Sequence, residues 1–332
     1  MKRRTGARVD DESAMLRAVA WARRGLGATY PNPCVGAVVV ANGRIVAGAH
    51  SSAAGGPHAE VRALAKSGAR ARGATLVVTL EPCCHRGRTG PCTSAILAAG
   101  IRRVVVGIGD PAPHASGKGP RLLRKAGVAV VTGVAKAACA EVHAHYLHHV
   151  TTHRPWVTLK AAASLDGRLS VASGASKWIT GEPARRDAHR LRAQHHAVAV
   201  GIGTVVADDP RLDVRLVKGV DPIVVVFDST LRLGTPALAH AAVLRPGTLV
   251  LHGPRVSAAR RARVRERGAE PLAIQLSPRG SIDVDAALAL LGHRDIRSLL
   301  VEGGGRLLGS FVAAGAWQRF VLYQAPRLLG DG

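Results

Sequence analysis

Thr75-Leu76-Val77-Val78-Thr79-Leu80-Glu81-Pro82-Cys83-Cys84-His85-Arg86-Gly87-Arg88-Thr89-Gly90-Pro91-Cys92 joins an apolar, β-branched run to two cysteines, each preceded by proline. Thr75–Leu80 reads as a buried strand that delivers the chain to Cys83, and Cys92–Ala99 reads as a helix. Upstream, His58-Ala59-Glu60 opens another helical segment, running to Lys66. Zinc that activates water takes three protein ligands and keeps one position open, and His58, Cys83 and Cys92 supply three. Glu60, two residues from His58, is close to the metal yet free to carry a proton. Cys84 is the rival ligand; its side chain must diverge from that of Cys83, so it is read as a bystander. A purely structural site would bring a fourth protein ligand. The pattern therefore reads as a hydrolytic zinc site.

Outward from this stretch, strands and helices alternate. Residues 12–26 carry Met15, Leu16, Val19 and Ala20 at helical spacing, and Val35–Val40 is a strand closed by a turn at Gly43. Val104–Ile108 is a further strand, and Leu122–Ala126 then Val128–Val131 continue the alternation, which implies an α/β sheet covered by helices. A change comes near residue 150. His143, His145, His148, His149 and His153 cluster there, and a solvated linker helix is the reading preferred over a second metal site. Pro155 stops that helix. Strand-like runs then recur at Trp156–Ala161, Ala197–Gly201, Ile223–Phe227, Thr248–Leu251, Ser298–Val301 and Phe320–Leu322. Two α/β domains are expected, 1–150 and 151–332.

Composition bounds the function. A length of 332 residues fits two domains, and with 47% apolar but 3% aromatic residues the cores must be Val, Leu, Ala and Ile. No run approaches the ~18 apolar residues of a membrane span. Lys2-Arg3-Arg4 is followed by Asp10, Asp11 and Glu12 rather than the apolar stretch of a signal peptide, so a cytoplasmic protein is expected. Five cysteines do not make a disulfide framework; Cys34 and Cys139 read as small buried hydrophobes. The net charge of +24 invites a nucleic-acid reading. The arginines are spread along the whole chain, however, and the dense group Arg260, Arg261, Arg263, Arg265 and Arg267 fits one solvated helix. A phosphorylated small molecule profits from the same field, and nucleic acid is not the ligand expected.

In the second half, Gly201-Ile202-Gly203-Thr204 and Gly303-Gly304-Gly305 each lie between a strand and a helix, where backbone amides can approach a phosphate. Neither is a dinucleotide fingerprint, and ordinary tight turns remain an alternative.

Several blocks together resemble the bifunctional riboflavin-biosynthesis deaminase–reductase family. They are Pro31-Asn32-Pro33-Cys34-Val35-Gly36, Gly55-Gly56-Pro57-His58-Ala59-Glu60-Val61, and Thr79 to Cys92 with eight residues between the ligand cysteines. That gap differs from the two residues of the Pro-Cys-x-x-Cys signature of nucleobase deaminases. Arg154-Pro155-Trp156-Val157-Thr158-Leu159-Lys160, Ser164-Leu165-Asp166-Gly167-Arg168, Ser176-Lys177-Trp178-Ile179-Thr180, Ala207-Asp208-Asp209-Pro210-Arg211-Leu212 and Val301-Glu302-Gly303-Gly304-Gly305 continue the resemblance in order. It implies an α/β protein with an N-terminal cytidine-deaminase-like α/β/α zinc domain and a C-terminal dihydrofolate-reductase-like α/β domain. The implied activity is deamination of 2,5-diamino-6-ribosylamino-4(3H)-pyrimidinone 5′-phosphate, then reduction of the ribosyl group to ribityl. The implied cofactors are Zn2+ and NADPH, and a homo-oligomer is expected.

Residue by residue, the resemblance places the zinc ligands on His58, Cys83 and Cys92 and the proton shuttle on Glu60. Asn32, His85 and Arg88 match positions that face the pyrimidine ribotide. NADPH positions fall on Ala162, Trp178, Thr204, Asp208, Ser229, Gly303, Gly304 and Gly305. Positions for the phosphoribosyl substrate fall on Ser176, Arg192, Leu212, Arg215 and Glu302. Arg192 and Arg215 suit a phosphate by forked hydrogen bonds, and Lys160 and Asp208 are candidates for assisting hydride transfer. Gly90 and Ala112 depart from the family pattern. The chain stops at Leu329-Gly330-Asp331-Gly332, where the family continues through another helix or strand, so an intact deaminase with an unpaired edge in the reductase sheet is expected. The alternatives are a deaminase-only member with impaired reductase, a nucleoside or nucleic-acid zinc deaminase, and a zinc-stabilised binding module; Glu60 argues against the last.

Overall fold

A computed structural model of the chain describes residues 8–85, 90–113, 115–169 and 181–330. It divides into two compact units, Met1–Thr152 and His153–Gly332.

The first unit contains α1 (Asp11–Gly25), β1 (Gly36–Ala41), β2 (Arg44–His50), α2 (Ala59–Ser67), β3 (Thr75–Leu80), α3 (Cys92–Ala98), β4 (Arg103–Ile108), α4 (Lys118–Lys125), β5 (Ala129–Thr132), α5 (Lys136–Val142) and α6 (Ala144–Thr152). Asp10 caps α1 by accepting from the Ser13 amide at 2.7 Å. Ala14, Met15, Ala18, Val19 and Ala22 form its buried stripe. The helix lies directly on β1, because a Cβ on Gly36 would fall 1.9 Å from the Ala18 carbonyl oxygen. Strand order is β2-β1-β3-β4-β5. β1 runs antiparallel to β2 and β3, whereas β3, β4 and β5 are parallel. Register pairs Gly36 with His50, Ala37 with Val78 and Leu80 with Ile108. The segments before β1 and after β2, β3 and β4 therefore emerge at one end of the sheet.

Two elements differ from the sequence expectation. β2 was not expected, although Asn42 and Gly43 have φ of 51° and 73° and form the kind of turn that closes a hairpin. The histidine-rich stretch does form a helix, but it is not simply solvated: His143 and His149 are buried. His143 Nε2 lies 2.9 Å from Thr79 Oγ1, whose oxygen also accepts the Gly36 amide at 3.0 Å.

The second unit contains β6 (Trp156–Ala163), α7 (Glu182–Gln194), β7 (Ala197–Gly201), α8 (Ile202–Asp208), β8 (Ile223–Phe227), β9 (Leu249–His252), α9 (Ala258–Glu266), β10 (Glu270–Ala273), α10 (Val284–His293), β11 (Ser298–Val301), α11 (Gly305–Ala313) and β12 (Arg319–Gln324). The order is β10-β9-β8-β7-β11-β6-β12, with all neighbours parallel. Alternate residues of the central strands feed two cores. Val225, Phe227 and Leu251 pack with Leu299 and Phe311, whereas Val226 and Val250 pack with Leu231 and Val264. β10 carries Pro271, which suits its edge position. β12 ends the sheet on the other side among the described residues, with Phe320 and Leu322 exposed. The chain lays β8, β9 and β10 outward from β7, then returns to place β11 between β7 and β6. That reversal opens a crevice at the carboxyl ends of β7 and β11.

Candidate functional site

At the shared strand end of the first unit, β3 passes into Glu81. Its buried carboxylate accepts the amides of Gly117 at 2.9 Å and of Asp110 and Gly119 at 3.3 Å. This fixes the path into Pro82 and Cys83. His58 stands at the N-cap position of α2 without capping it, and Cys92 is the first residue of α3, behind Pro91.

His58 Nδ1 lies 3.2 Å from Cys92 Sγ and 3.6 Å from Cys83 Sγ, and the three ligand atoms lie within 4.8 Å of one another. A tetrahedral zinc with Zn–N near ~2.05 Å and Zn–S near ~2.3 Å separates nitrogen and sulfur by about 3.6 Å. The cluster fits that ion. The hydrogen bond from Cys92, with help from His58, holds Cys83 well below the usual thiol range. The same contact and burial push Cys92 upward, and the contact with Cys83 raises His58. Without a cation one sulfur keeps its proton and the other is a thiolate; a cation between them would let both ionise, and sulfur with imidazole suits zinc.

Glu60 is 3% exposed. Burial pushes its carboxyl up to about 7, and its Oε2 has no hydrogen-bond partner among the described residues. Such a group can both take and return a proton near neutrality. Cys84 is half-buried and outside the three-atom cluster. Asn32 is exposed in a turn closed by its amide to the Thr29 carbonyl at 2.9 Å and by Thr29 Oγ1 to its own carbonyl at 3.1 Å. His85 is exposed beyond Cys84. Arg88, Ser176 and Trp178 lie outside the described residues.

In the second unit a cleft of about 460 Å³ opens at the β7/β11 reversal. Gly201, Gly203, Thr204, Asp208, Ser229, Gly304 and Gly305 line it, and Thr204 Oγ1 accepts the Gly304 amide at 3.1 Å, tying α8 to α11. Gly303 lies just behind the wall against Leu307. Ala162 is not in the wall; it pairs with Tyr323 in β12. The sequence reading missed Arg232 and Arg306, two cations that line the cleft. Arg306 directly follows the Gly303–Gly305 turn, whereas nothing in the sequence around Arg232 marks it.

The remaining predicted residues gather around Glu302. Arg192 Nε and Nη2 reach its two oxygens at 2.6 and 2.9 Å, and Lys160 Nζ lies 3.8 Å away. Burial pushes Glu302 up, but the charge and fork of Arg192 prevail and hold it below the usual range. The fork of Arg192 is thus taken up by a carboxylate rather than left for a phosphate. Arg215 is also paired, with Asp213, but its side chain is 55% exposed. Leu212 beside them is buried, with φ of 54°.

Residues 155–332 match the family model of the RibD C-terminal domain, and residues 8–108 that of the cytidine and deoxycytidylate deaminase zinc-binding region. The chain belongs to the RibD family. The riboflavin biosynthesis protein RibD of Aquifex aeolicus is 41% identical over 97% of this chain and 88% of its own length. That of Escherichia coli is 40% identical over 97% of this chain and 89% of its own. A solved RibD of Acinetobacter baumannii superposes with a TM-score of 0.86 at 38% identity, covering 96% of this chain and 88% of that one. A deaminase/reductase of Thermotoga maritima, described as acting on diaminohydroxyphosphoribosylaminopyrimidine and 5-amino-6-(5-phosphoribosylamino)uracil, gives 0.84 at 35%, covering 97% and 88%. This RibD-family chain is a bifunctional enzyme of riboflavin biosynthesis, a zinc-dependent deaminase joined to an NADPH-dependent reductase. No helix among the described residues is long and apolar enough to cross a membrane.

Proposed function

We propose that residues 1–150 hydrolyse the 2-amino group of 2,5-diamino-6-ribosylamino-4(3H)-pyrimidinone 5′-phosphate, and that 151–332 reduce the ribosyl group of the product with NADPH. The observation that carries the first step is buried Glu60 beside a three-ligand cluster. His58, Cys83 and Cys92 would hold zinc, which when bound would make water nucleophilic near neutral pH. Glu60 would carry the two protons of the attacking water in turn, one to the adjacent ring nitrogen and one to the leaving nitrogen, so that ammonia departs and a ring carbonyl remains. Asn32 and His85 meet the ribotide.

In the second step the amides around Gly201, Gly203, Gly304 and Gly305, together with Thr204 and Ser229, would hold NADPH, which when bound would supply the hydride. Lys160 is held toward Glu302 and assists the transfer with Asp208. Arg192 keeps Glu302 ionised for the substrate hydroxyls, and the half-free Arg215 is the better phosphate ligand of the two.

The test is Glu60→Gln. Ammonia release should fall by about 10²–10⁴-fold, with zinc content and NADPH oxidation on the deaminated ribotide unchanged. Undiminished ammonia release would sink the proton role of Glu60.

A further inference from the structure

The histidine-rich α6 makes contacts that no zinc chemistry needs. Tyr30 Oη is 2.7 Å from His145 Nδ1, and the two rings stack at 17° with centroids 6.4 Å apart. One residue on, Tyr146 Oη donates to both Asp110 oxygens, at 2.8 and 3.0 Å. Asp110 in turn accepts the Ala112 amide at 2.9 Å. Just before the helix, His143 holds Thr79. The three segments reached are the turn before β1, the end of β3 and the loop after β4. They are neighbours at the strand end that carries the zinc ligands. Tyr30 belongs to the Thr29–Asn32 turn, and the Asp110 loop is also held by Glu81, two residues before Cys83.

We infer that α6 is a brace for the deaminase rim, with His145 and Tyr146 as positioning residues that hold the Tyr30–Asn32 and Asp110–Ala112 segments in place to bind the ribotide. The inference rests on the deaminase reading of this unit. Neither residue takes part in the proton transfer. Each lowers the cost of ordering a rim segment when the substrate binds, so the effect falls on binding rather than on the chemical step. The Tyr30–His145 bond with its stacked rings and the Tyr146–Asp110 bonds tie two loops that lack regular structure to one helix, which is why that helix can govern both.

The experiment compares Tyr30→Phe, Tyr146→Phe and the double variant with the wild-type holoenzyme. KM for the ribotide should rise about three- to tenfold in each single variant, with kcat changed less than about twofold. Zinc content should be unchanged. Amide exchange should quicken at Asn32 and Val35 in Tyr30→Phe, and at Ala112 in Tyr146→Phe, but not in β3 or β4. His145→Asn, which can still meet the Tyr30 hydroxyl, should keep KM closer to wild type than His145→Leu. Unchanged KM together with unchanged exchange in these segments would overturn the brace. A parallel fall in kcat with zinc loss would also overturn it, because the residues would then be supporting the metal cluster. Wild-type protein that releases no ammonia would count against the deaminase reading itself; the exchange measurements judge the brace in that case too.

Discussion

His195 shows how one buried side chain sets a condition for the whole unit. Its Nδ1 meets the Leu191 carbonyl at 2.7 Å, and its Nε2 lies 2.9 Å from Thr158 Oγ1. Burial pushes it down to about 4, against about 6.5 for an unfolded histidine. Above pH 6.5 both states are neutral and the stability is whole. Between 6.5 and 4 the unfolded chain takes up a proton that the folded chain refuses, so stability is lost as the pH falls. Urea unfolding of the second unit should lose on the order of 1–3 kcal/mol from pH 7 to pH 4.5 through this group. The slope should be shallower in His195→Asn; an equal slope would assign the loss to other groups. His143 in the first unit, also pushed down to about 4 by burial, carries the same sign. Nothing in the sequence around either residue distinguishes it from the less buried histidines nearby, His145 and His148 in the first unit and His196 in the second. The difference lies in the hydroxyl partners Thr79 and Thr158, which are distant along the chain.

At the scale of elements, the junction of β3, α4 and the metal loop depends on one missing side chain. Gly119 is the second residue of α4, and a Cβ there would fall 2.1 Å from the Pro82 carbonyl oxygen. Gly119→Ala should push α4 away and disturb the three amides gathered by Glu81. Cys83, one residue past Pro82, moves with them. Ammonia release should drop by about tenfold or more, since a shift of about 1 Å at a site carries such a cost. NADPH binding should be unaffected; full deaminase activity would show that the loop relaxes without moving Cys83. β3, β4, β7, β8 and β11 were legible because a buried strand is a continuous apolar run. β2 and β10 were not: the first is at most half-buried before Gly48, and the second contains a proline. Their places come from the strands they pair with.

Across the molecule, each unit has its own core and its own ligand. Ligands stabilise the segments that hold them. Chelation of zinc should therefore quicken amide exchange at 57–62 and 90–94, whereas NADPH should slow it at 201–208 and 303–310. A uniform change along the chain after either treatment would contradict this division of labour.

The amino-acid order alone pointed to a His58, Cys83 and Cys92 donor set and to a proton role for Glu60, and it carried the alternation of strands and helices and the change of unit near residue 150. Those are local properties: ligand type, spacing and periodicity survive in a linear reading. Only the tertiary structure decided that Glu60 is buried with an oxygen that has no partner among the described residues, that Arg192 gives its fork to Glu302, that Arg232 and Arg306 line the cleft, and that the histidine-rich helix reaches Tyr30 and Asp110. Each of these depends on neighbours brought from far along the chain, and burial and pairing exist only once the sheet order has placed them.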